Sequence, residues 1–425
     1  MDVQITPVKL AGHVTLPASK SHCHRLLIAS YLAGSLASGK EAIGIENDLP
    51  IMNWPGDDIV ATIEALEQLQ STEEPKIYCK ESGSTLRFLL PVAAVLHFSS
   101  SFYGQGRLPK RPLSPLLQQM KNHGCKISND STSSLICKLQ GKLQGGEFFL
   151  PGNISSQFIT GLLFALPLTA SGGHIHLTTA LESSSYVDLT IQVLSDFGIV
   201  ITKSTHKSAA GTELITYHVA GNQHYQLPST TGVLQPESDW SAAAFWHVAN
   251  RLGCHIILER KSRLAKEKPT INSVKSDASS LQGDKAIVDI IRRVSTTKTI
   301  DASNIPDLVP IIAVLLALTP GKREIIHADR LRFKESDRLH ETAKGLTALG
   351  ATVTEINDGL VIVGKEQLDG GIVHGARDHR IIMSMAIAAI GCKNPVTITG
   401  AQSISKSYPL FFHHYEKLGG QIVIQ

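Results

Sequence analysis

Lys334, Glu335 and Arg338 fall within one charged run, RLRFKESDRLHETAKGLTALGATV, which starts at Arg330 and ends at Val353. Spaced four apart, Lys334 and Arg338 would share one face if the run were helical throughout. Glu335 would then project about 100° away from Lys334. Two like charges so placed repel unless an anion sits between or before them. The run therefore reads either as a solvated helix start or as two cations aimed at an anion, with a carboxylate beside them.

Other stretches supply matching pieces. In LPASKSHCHRLLIASYLAG, Ser19 can cap a helix on which Ser21 and Arg25 share a face, with Lys20 alongside. This suits a phosphate, although it lacks the glycine spacing of a nucleotide loop. The neighbouring His22, Cys23 and His24 have a spacing that rarely converges on one metal ion. In ESGSTLRFLLPVAA, Gly83 permits close backbone approach to a ligand and Arg87 opens an apolar helix. RLPKRPLSPLLQQM sets Arg107, Lys110 and Arg111 before a helix whose first turn would accept Pro112. Arg380 in ARDHR and Lys406 in SISKSYP complete a set with Lys20, Arg25, Arg111, Lys334 and Arg338, each cation at or near the start of an element. A site that gathers cations from both halves of a chain suits substrates with several negative charges. Asp307 and Glu335 are the candidate acid–base pair among them.

The elements that must position these groups repeat. LLQQMKNHGCKIS, IQVLSDFGIVIT, AFWHVANRLGCHIIL, HETAKGLTALGATVTEI and FFHHYEKLGGQIVIQ each read as amphipathic helix, glycine stop and short strand, with Gly124, Gly198, Gly253, Gly350 and Gly419 at the stops. Recurrence of this kind predicts an architecture assembled from similar α/β units. SQFITGLLFALPLTA, DLVPIIAVLLALTP and HRIIMSMAIAAIG are apolar on nearly all sides, as interior helices are. Polar residues open each of them: Ser155, Ser156 and Gln157; Asp307; Asp378, His379 and Arg380. Helix N-termini so equipped favour anions. The polar, Ser-rich stretch from about Lys266 to Asp284 reads as an exposed loop or insertion without evident chemistry.

A chain of 425 residues predicts two domains. Its 42% hydrophobic and 18% charged residues describe a globular protein, and a net charge of +3 is too mild for a nucleic-acid coat. Six scattered cysteines without a CxxC pair suit buried thiols in a reducing compartment. With no leader pattern and no apolar run of about 18 residues, a cytoplasmic protein without membrane attachment is expected.

Taken in order, SKSHCHR, ESGSTLR, LPKRP, SSQF, SSSYVD, ESDWSAAA, IPDLVP, KESDRL, DHR and SKSYP resemble the motifs of the enolpyruvyl transferase family, and within it the 5-enolpyruvylshikimate-3-phosphate synthases, over nearly the whole chain. The resemblance implies an α/β fold of two domains, each of three βαβαββ units, with the active site in the cleft between them. The first domain would span residues 18–237 and the second residues 1–17 plus 238–425. It implies transfer of the enolpyruvyl group of phosphoenolpyruvate to the 5-hydroxyl of shikimate 3-phosphate, without metal or organic cofactor, by a monomer whose partners are these small molecules and no nucleic acid. Shikimate 3-phosphate would meet Lys20, Ser21, Arg25, Ser155, Ser156, Gln157, Ser183, Tyr186, Asp307 and Lys334. Phosphoenolpyruvate would meet Lys20, Gly83, Arg111, Gln157, Arg338, Arg380 and Lys406. Asp307 would be the base toward the hydroxyl and Glu335 the acid toward the methylene, with Lys20 and Lys334 setting their charge.

Two departures stand out. Glu81 takes the place of a usual asparagine in the glycine loop, and Arg330 stands where several members carry an asparagine. The alternatives are the sister transferase acting on UDP-N-acetylglucosamine, a non-catalytic anion-binding protein of the same fold, and a basic RNA-end-binding protein of the related cyclase fold. The sister enzyme commonly carries a reactive cysteine in a mobile loop, but no cysteine lies between Cys79 and Cys125 here. Binding alone would need no acid–base pair.

Overall fold

The computed structural model describes residues 1–42, 55–129, 134–229, 235–259 and 280–425. The chain divides into two compact units. Unit one comprises Met1–Ser19, Pro50–Gly56 and Glu237–Gln425, and unit two comprises Lys20–Leu49 and Asp57–Pro236. Each encloses its own apolar core.

One strand pattern recurs in four four-stranded sheets. In unit two, Lys76–Tyr78 pairs in parallel with Ser99–Tyr103, which is followed by antiparallel Leu135–Gln140 and Lys126–Ser128. Gly146–Leu150, Gly173–Leu177, Glu213–Val219 and Ile201–Lys207 repeat that order. In unit one, Thr299–Asp301, Gly321–Ile326, Gly359–Gly364 and Thr352–Ile356 form the same arrangement. In the fourth sheet Gly371–His374 and Val396–Thr399 are joined by the N-terminal strand Val3–Thr6 and the C-terminal strand Gln421–Ile424. Helices connect the parallel pairs, as such pairs require. Three of these units are continuous βαβαββ stretches, and the fourth borrows its last strand from the other end of the chain.

The five stop glycines are where the repeat reading put them, all with positive φ (Gly124 +95°, Gly198 +80°, Gly253 +93°, Gly350 +89°, Gly419 +89°). A side chain would strain this left-handed turn, and the turn lets the chain reverse from helix into strand. The interior helices are as apolar in place as in sequence. Every residue of Val309–Ala317 is buried, and so is every residue of His379–Ala388. Each large aliphatic side chain so buried contributes about 1.5–3 kcal/mol. Among the described residues no helix is long and apolar enough to cross a membrane.

The polar segment near 266–284 needs correction at its C-terminal end. Residues 260–279 lie outside the described residues, but Ser280, Gln282 and Asp284 are buried rather than exposed. Gln282 accepts from the Trp240 amide at 3.0 Å and donates to the Ser238 carbonyl at 2.9 Å. Composition misled here because these side chains find their partners on a helix start some 40 residues earlier.

Candidate active site

In unit one the charged residues converge on Asp307. A 3-10 turn, Pro306–Leu308, carries Asp307 just ahead of the buried helix Val309–Ala317. Arg338 donates from Nη1 to Asp307 Oδ1 at 3.0 Å, and Arg380 donates from Nη2 to Oδ2 at 3.0 Å. Lys334 Nζ stands 3.8 Å from Oδ1. Burial alone would raise the Asp307 pKa, but Arg380, Lys334 and Arg338 overcome it and hold the carboxyl far below its ordinary range. Arg338 also donates from Nη2 to Glu335 Oε2 at 2.6 Å.

The guanidinium of Arg338 is itself fixed from behind. Asp378, fully buried, accepts from its Nε at 2.9 Å and its Nη2 at 3.2 Å, and from Ser336 Oγ at 3.0 Å. Asp378 also caps the helix His379–Ala388 by accepting from the Arg380 amide at 2.9 Å. Burial works against the charge of Arg338, but Asp378, Glu335 and Asp307 more than compensate, so its pKa lies above the ordinary arginine value. One carboxylate therefore orients two arginines, Arg338 by direct bonds and Arg380 through the helix start.

The sequence reading of Lys334 and Arg338 as neighbours on one helix face is wrong. The 3-10 turn Asp329–Phe333 ends before Lys334, and the helix begins only at Arg338, capped by Asp337, whose side chain accepts from the His340 amide. The two cations meet at Asp307 because the chain between them bends. Arg330 donates to the Ser303 carbonyl. Lys406 is buried and donates to the Arg377 carbonyl at 3.2 Å.

Unit two holds a second set of cations. Lys20 opens the helix Lys20–Leu32 and pairs with Asp58 at 2.7 Å. Arg25, buried one turn further on, donates to Thr190 Oγ1 (2.7 Å), the Ser21 carbonyl (2.6 Å) and the Tyr186 carbonyl (2.8 Å). These acceptors are all neutral, and burial pulls the guanidinium pKa down to about 9. An anion at this point would relieve that penalty. Ser183, with φ +56°, directs the chain into the helix Ser184–Asp196 that carries Tyr186. The adjoining His22, Cys23 and His24 are buried in the helix. His24 joins a chain of hydroxyls through Thr62 (2.8 Å), Thr85 (2.6 Å) and Ser82 (2.7 Å).

Gly83, Arg87, Arg111 and Gln157 form the other part of unit two's set. Ser82 caps the helix Gly83–Leu96, and Ser155 caps the helix Ser156–Ala165 by accepting from the Gln157 amide. Gln157 donates to Ser84 Oγ at 2.9 Å and accepts from Arg87 Nη1 at 3.0 Å. A Cβ on Gly83 would lie 2.6 Å from Arg87 Nη1 and 2.7 Å from Arg111 Nη1, so two guanidiniums press on this one glycine. The Glu81 carboxyl lies against Gly106, where φ is +60° and a Cβ would meet it at 2.7 Å. Pro112 is not in a helix, and Pro115 takes the first turn of Ser114–Asn122. The sequence places Arg87 and Asp378 only at helix starts; the structure shows Arg87 bonded to Gln157 and Asp378 to Arg338. Arg87 lies a full turn inside its helix rather than at its start.

Asp284 is a further buried carboxyl near Asp307. It accepts from Ser241 Oγ, and burial, reinforced by Asp307, pushes its pKa up to about 7. The folded chain thus binds this proton more tightly than the unfolded chain, and the stability gained is complete below about pH 4 and lost as pH rises to about 7. Asp284→Asn is expected to be more stable than the parent at pH 8, on the order of 1–3 kcal/mol. The difference should shrink toward pH 5 in urea unfolding curves at the two pH values.

The whole chain superposes on enolpyruvyl transferases. It matches EPSP synthase from Acinetobacter baumannii with a TM-score of 0.69 at 21% identity, each chain covered in full. It matches the enolpyruvyl transferase NikO from Streptomyces tendae with a TM-score of 0.65 at 15% identity, covering 99% of this chain and 98% of that one. The two-domain enolpyruvyl transferase fold is the class these elements define. Residues 5–415 match the EPSP synthase (3-phosphoshikimate 1-carboxyvinyltransferase) family. Proteins named 3-phosphoshikimate 1-carboxyvinyltransferase are 37% identical in Clostridium novyi (strain NT) and 39% identical in Clostridium acetobutylicum, each alignment covering 99% of this chain and 98% of the relative. The chain belongs to the EPSP synthase family.

Proposed function

We propose that this chain transfers the enolpyruvyl group of phosphoenolpyruvate to the 5-hydroxyl of shikimate 3-phosphate and releases phosphate, a step toward aromatic amino acids. The observation that carries the reading is the clamp on Asp307, one carboxylate held by Arg338, Arg380 and Lys334 from separate segments. Residues 18–237 would form the first transferase domain, and residues 1–17 with 238–425 the second. Shikimate 3-phosphate is assigned to Lys20, Ser21, Arg25, Ser155, Ser156, Gln157, Ser183, Tyr186, Asp307 and Lys334. Phosphoenolpyruvate is assigned to Lys20, Gly83, Arg111, Gln157, Arg338, Arg380 and Lys406.

The clamp suggests how two carboxylates gain proton affinity only when substrates arrive. Held by three cations, Asp307 is a poor base. As the substrates' carboxylate and phosphates engage Arg338, Arg380 and Lys334, the charge holding Asp307 and Glu335 ionised is shared out, and both gain affinity for protons. Asp307 then takes the proton of the 5-hydroxyl as its oxygen attacks C2 of phosphoenolpyruvate, while Glu335, having taken up a proton from water, delivers it to C3. The tetrahedral intermediate carries a methyl group. It collapses when Glu335 recovers a proton from that methyl and the C–O bond to phosphate breaks, the arginines stabilising the departing charge while Asp307 gives up the hydroxyl proton to the leaving phosphate. No metal or organic cofactor takes part in these steps. A cytoplasmic monomer is part of the reading, and the six buried free cysteines fit a reducing compartment.

Phosphate release by the purified protein should require phosphoenolpyruvate and shikimate 3-phosphate together. Release with UDP-N-acetylglucosamine in place of shikimate 3-phosphate would assign the chain to the sister reaction. Gly83→Ala is expected to raise KM for phosphoenolpyruvate by roughly tenfold or more, with kcat much less affected, because the methyl displaces guanidiniums that bind an anion in ground and transition states alike. An unchanged KM would remove Gly83 from that subsite.

A further inference from the structure

Outside the proposed catalytic residues, one sheet of unit two carries an unusual face. Along Gly146–Leu150, Gly173–Leu177 and Glu213–Val219 the alternate residues Phe148, Ile175, Leu177, Tyr217 and Val219 are buried. Strand alternation turns their neighbours to the other side. Register sets Glu147 beside His174, and His176 beside both Phe149 and Thr216. His174 Nδ1 lies 2.7 Å from Glu147 Oε1, and His176 Nε2 lies 2.5 Å from Glu147 Oε2. One ligand atom from each of the three residues falls within 4.8 Å of the others.

We propose that Glu147, His174 and His176 form a binding site for a divalent zinc-type cation. Two imidazole nitrogens and a carboxylate oxygen, with water in a fourth position, are a donor set that Zn2+ accepts in tetrahedral geometry. The rings are held in place for it. Phe149 stacks on His176 with ring centroids 4.9 Å apart, and Thr216 Oγ1 lies 3.0 Å from His176 Nδ1. When a cation takes the Nε2 lone pair of His176, the ring proton sits on Nδ1, where Thr216 Oγ1 stands ready to accept it. His174 coordinates through Nδ1 after moving its proton to the outward Nε2. Side-chain exposures of 55% for Glu147, 46% for His174 and 28% for His176 leave an aquated ion free access. The six cysteines, all buried, offer it no competing thiolate at the surface.

Calorimetric titration of the chelator-treated full chain with ZnCl2 tests this directly. One equivalent per chain is expected to bind saturably, and His174→Ala with His176→Ala together should abolish that binding. Glu147→Gln should weaken it roughly tenfold or more. His13→Ala, which breaks an exposed two-group pair with Glu259, should leave it unchanged. Far-UV circular dichroism and phosphate release by the double variant should match the parent, so that lost binding cannot reflect lost folding. Absence of saturable binding by the parent, or binding that survives the double substitution, overturns the proposal.

Discussion

Asp307→Asn is expected to lower kcat by about two to four orders of magnitude while the chain stays folded. The amide keeps the volume of the carboxyl and one acceptor oxygen, so it can keep the bond from Arg338 or the bond from Arg380 but not both, and the turn Pro306–Leu308 retains one of its two arginine partners. What it loses is the site for the hydroxyl proton. Three cations now face a neutral group, so polyanionic substrates should bind at least as well as before. The predicted signature is therefore a collapse of kcat with KM unchanged or lowered, which separates a chemical role from a binding role. Near-parental kcat would remove Asp307 from proton transfer. Glu335→Gln should give a comparable loss for the same reason at the methylene carbon.

Arg338→Met is expected to cost about 3–5 kcal/mol of stability as well as activity. Arg338 is buried to 1% exposure and bonds Asp378, Glu335 and Asp307. Its removal leaves Asp378, fully buried, without its main countercharge. Methionine fills much of the volume, so the loss reports charge rather than a cavity. Arg338→Lys should recover only part of it, since one ammonium cannot reproduce a fork that reaches three carboxylates. Urea unfolding of both variants measures the effect, and a destabilisation below about 1 kcal/mol for Arg338→Met would contradict the clamp.

The repeat was legible because its signal is local. A glycine after an amphipathic helix needs no distant partner to declare a left-handed turn, and all five such glycines adopt one. Asp307, Lys334, Glu335, Arg338 and Arg380 were legible as a set of charges, but their geometry was not. Treating Lys334 to Arg338 as one helix ignored Asp337, the capping residue one position before the helix that starts at Arg338. Arg87 was passed over because its role depends on Gln157, seventy residues away in sequence. Asp378 read as one of the polar residues opening an apolar helix, and it caps that helix. Its grip on Arg338, forty residues away, is a tertiary fact that no local pattern carries. Asp284 was hidden by its polar neighbours, since composition averages over a segment whose last residues are buried.

The most direct test follows the carbon atoms. Phosphoenolpyruvate labelled with 13C at C2, incubated with shikimate 3-phosphate and the purified chain, should yield an NMR signal for a vinyl ether carbon joined to the 5-oxygen, with one phosphate released per ether formed. Labelled pyruvate appearing in its place, or label that stays in phosphoenolpyruvate, would contradict the account.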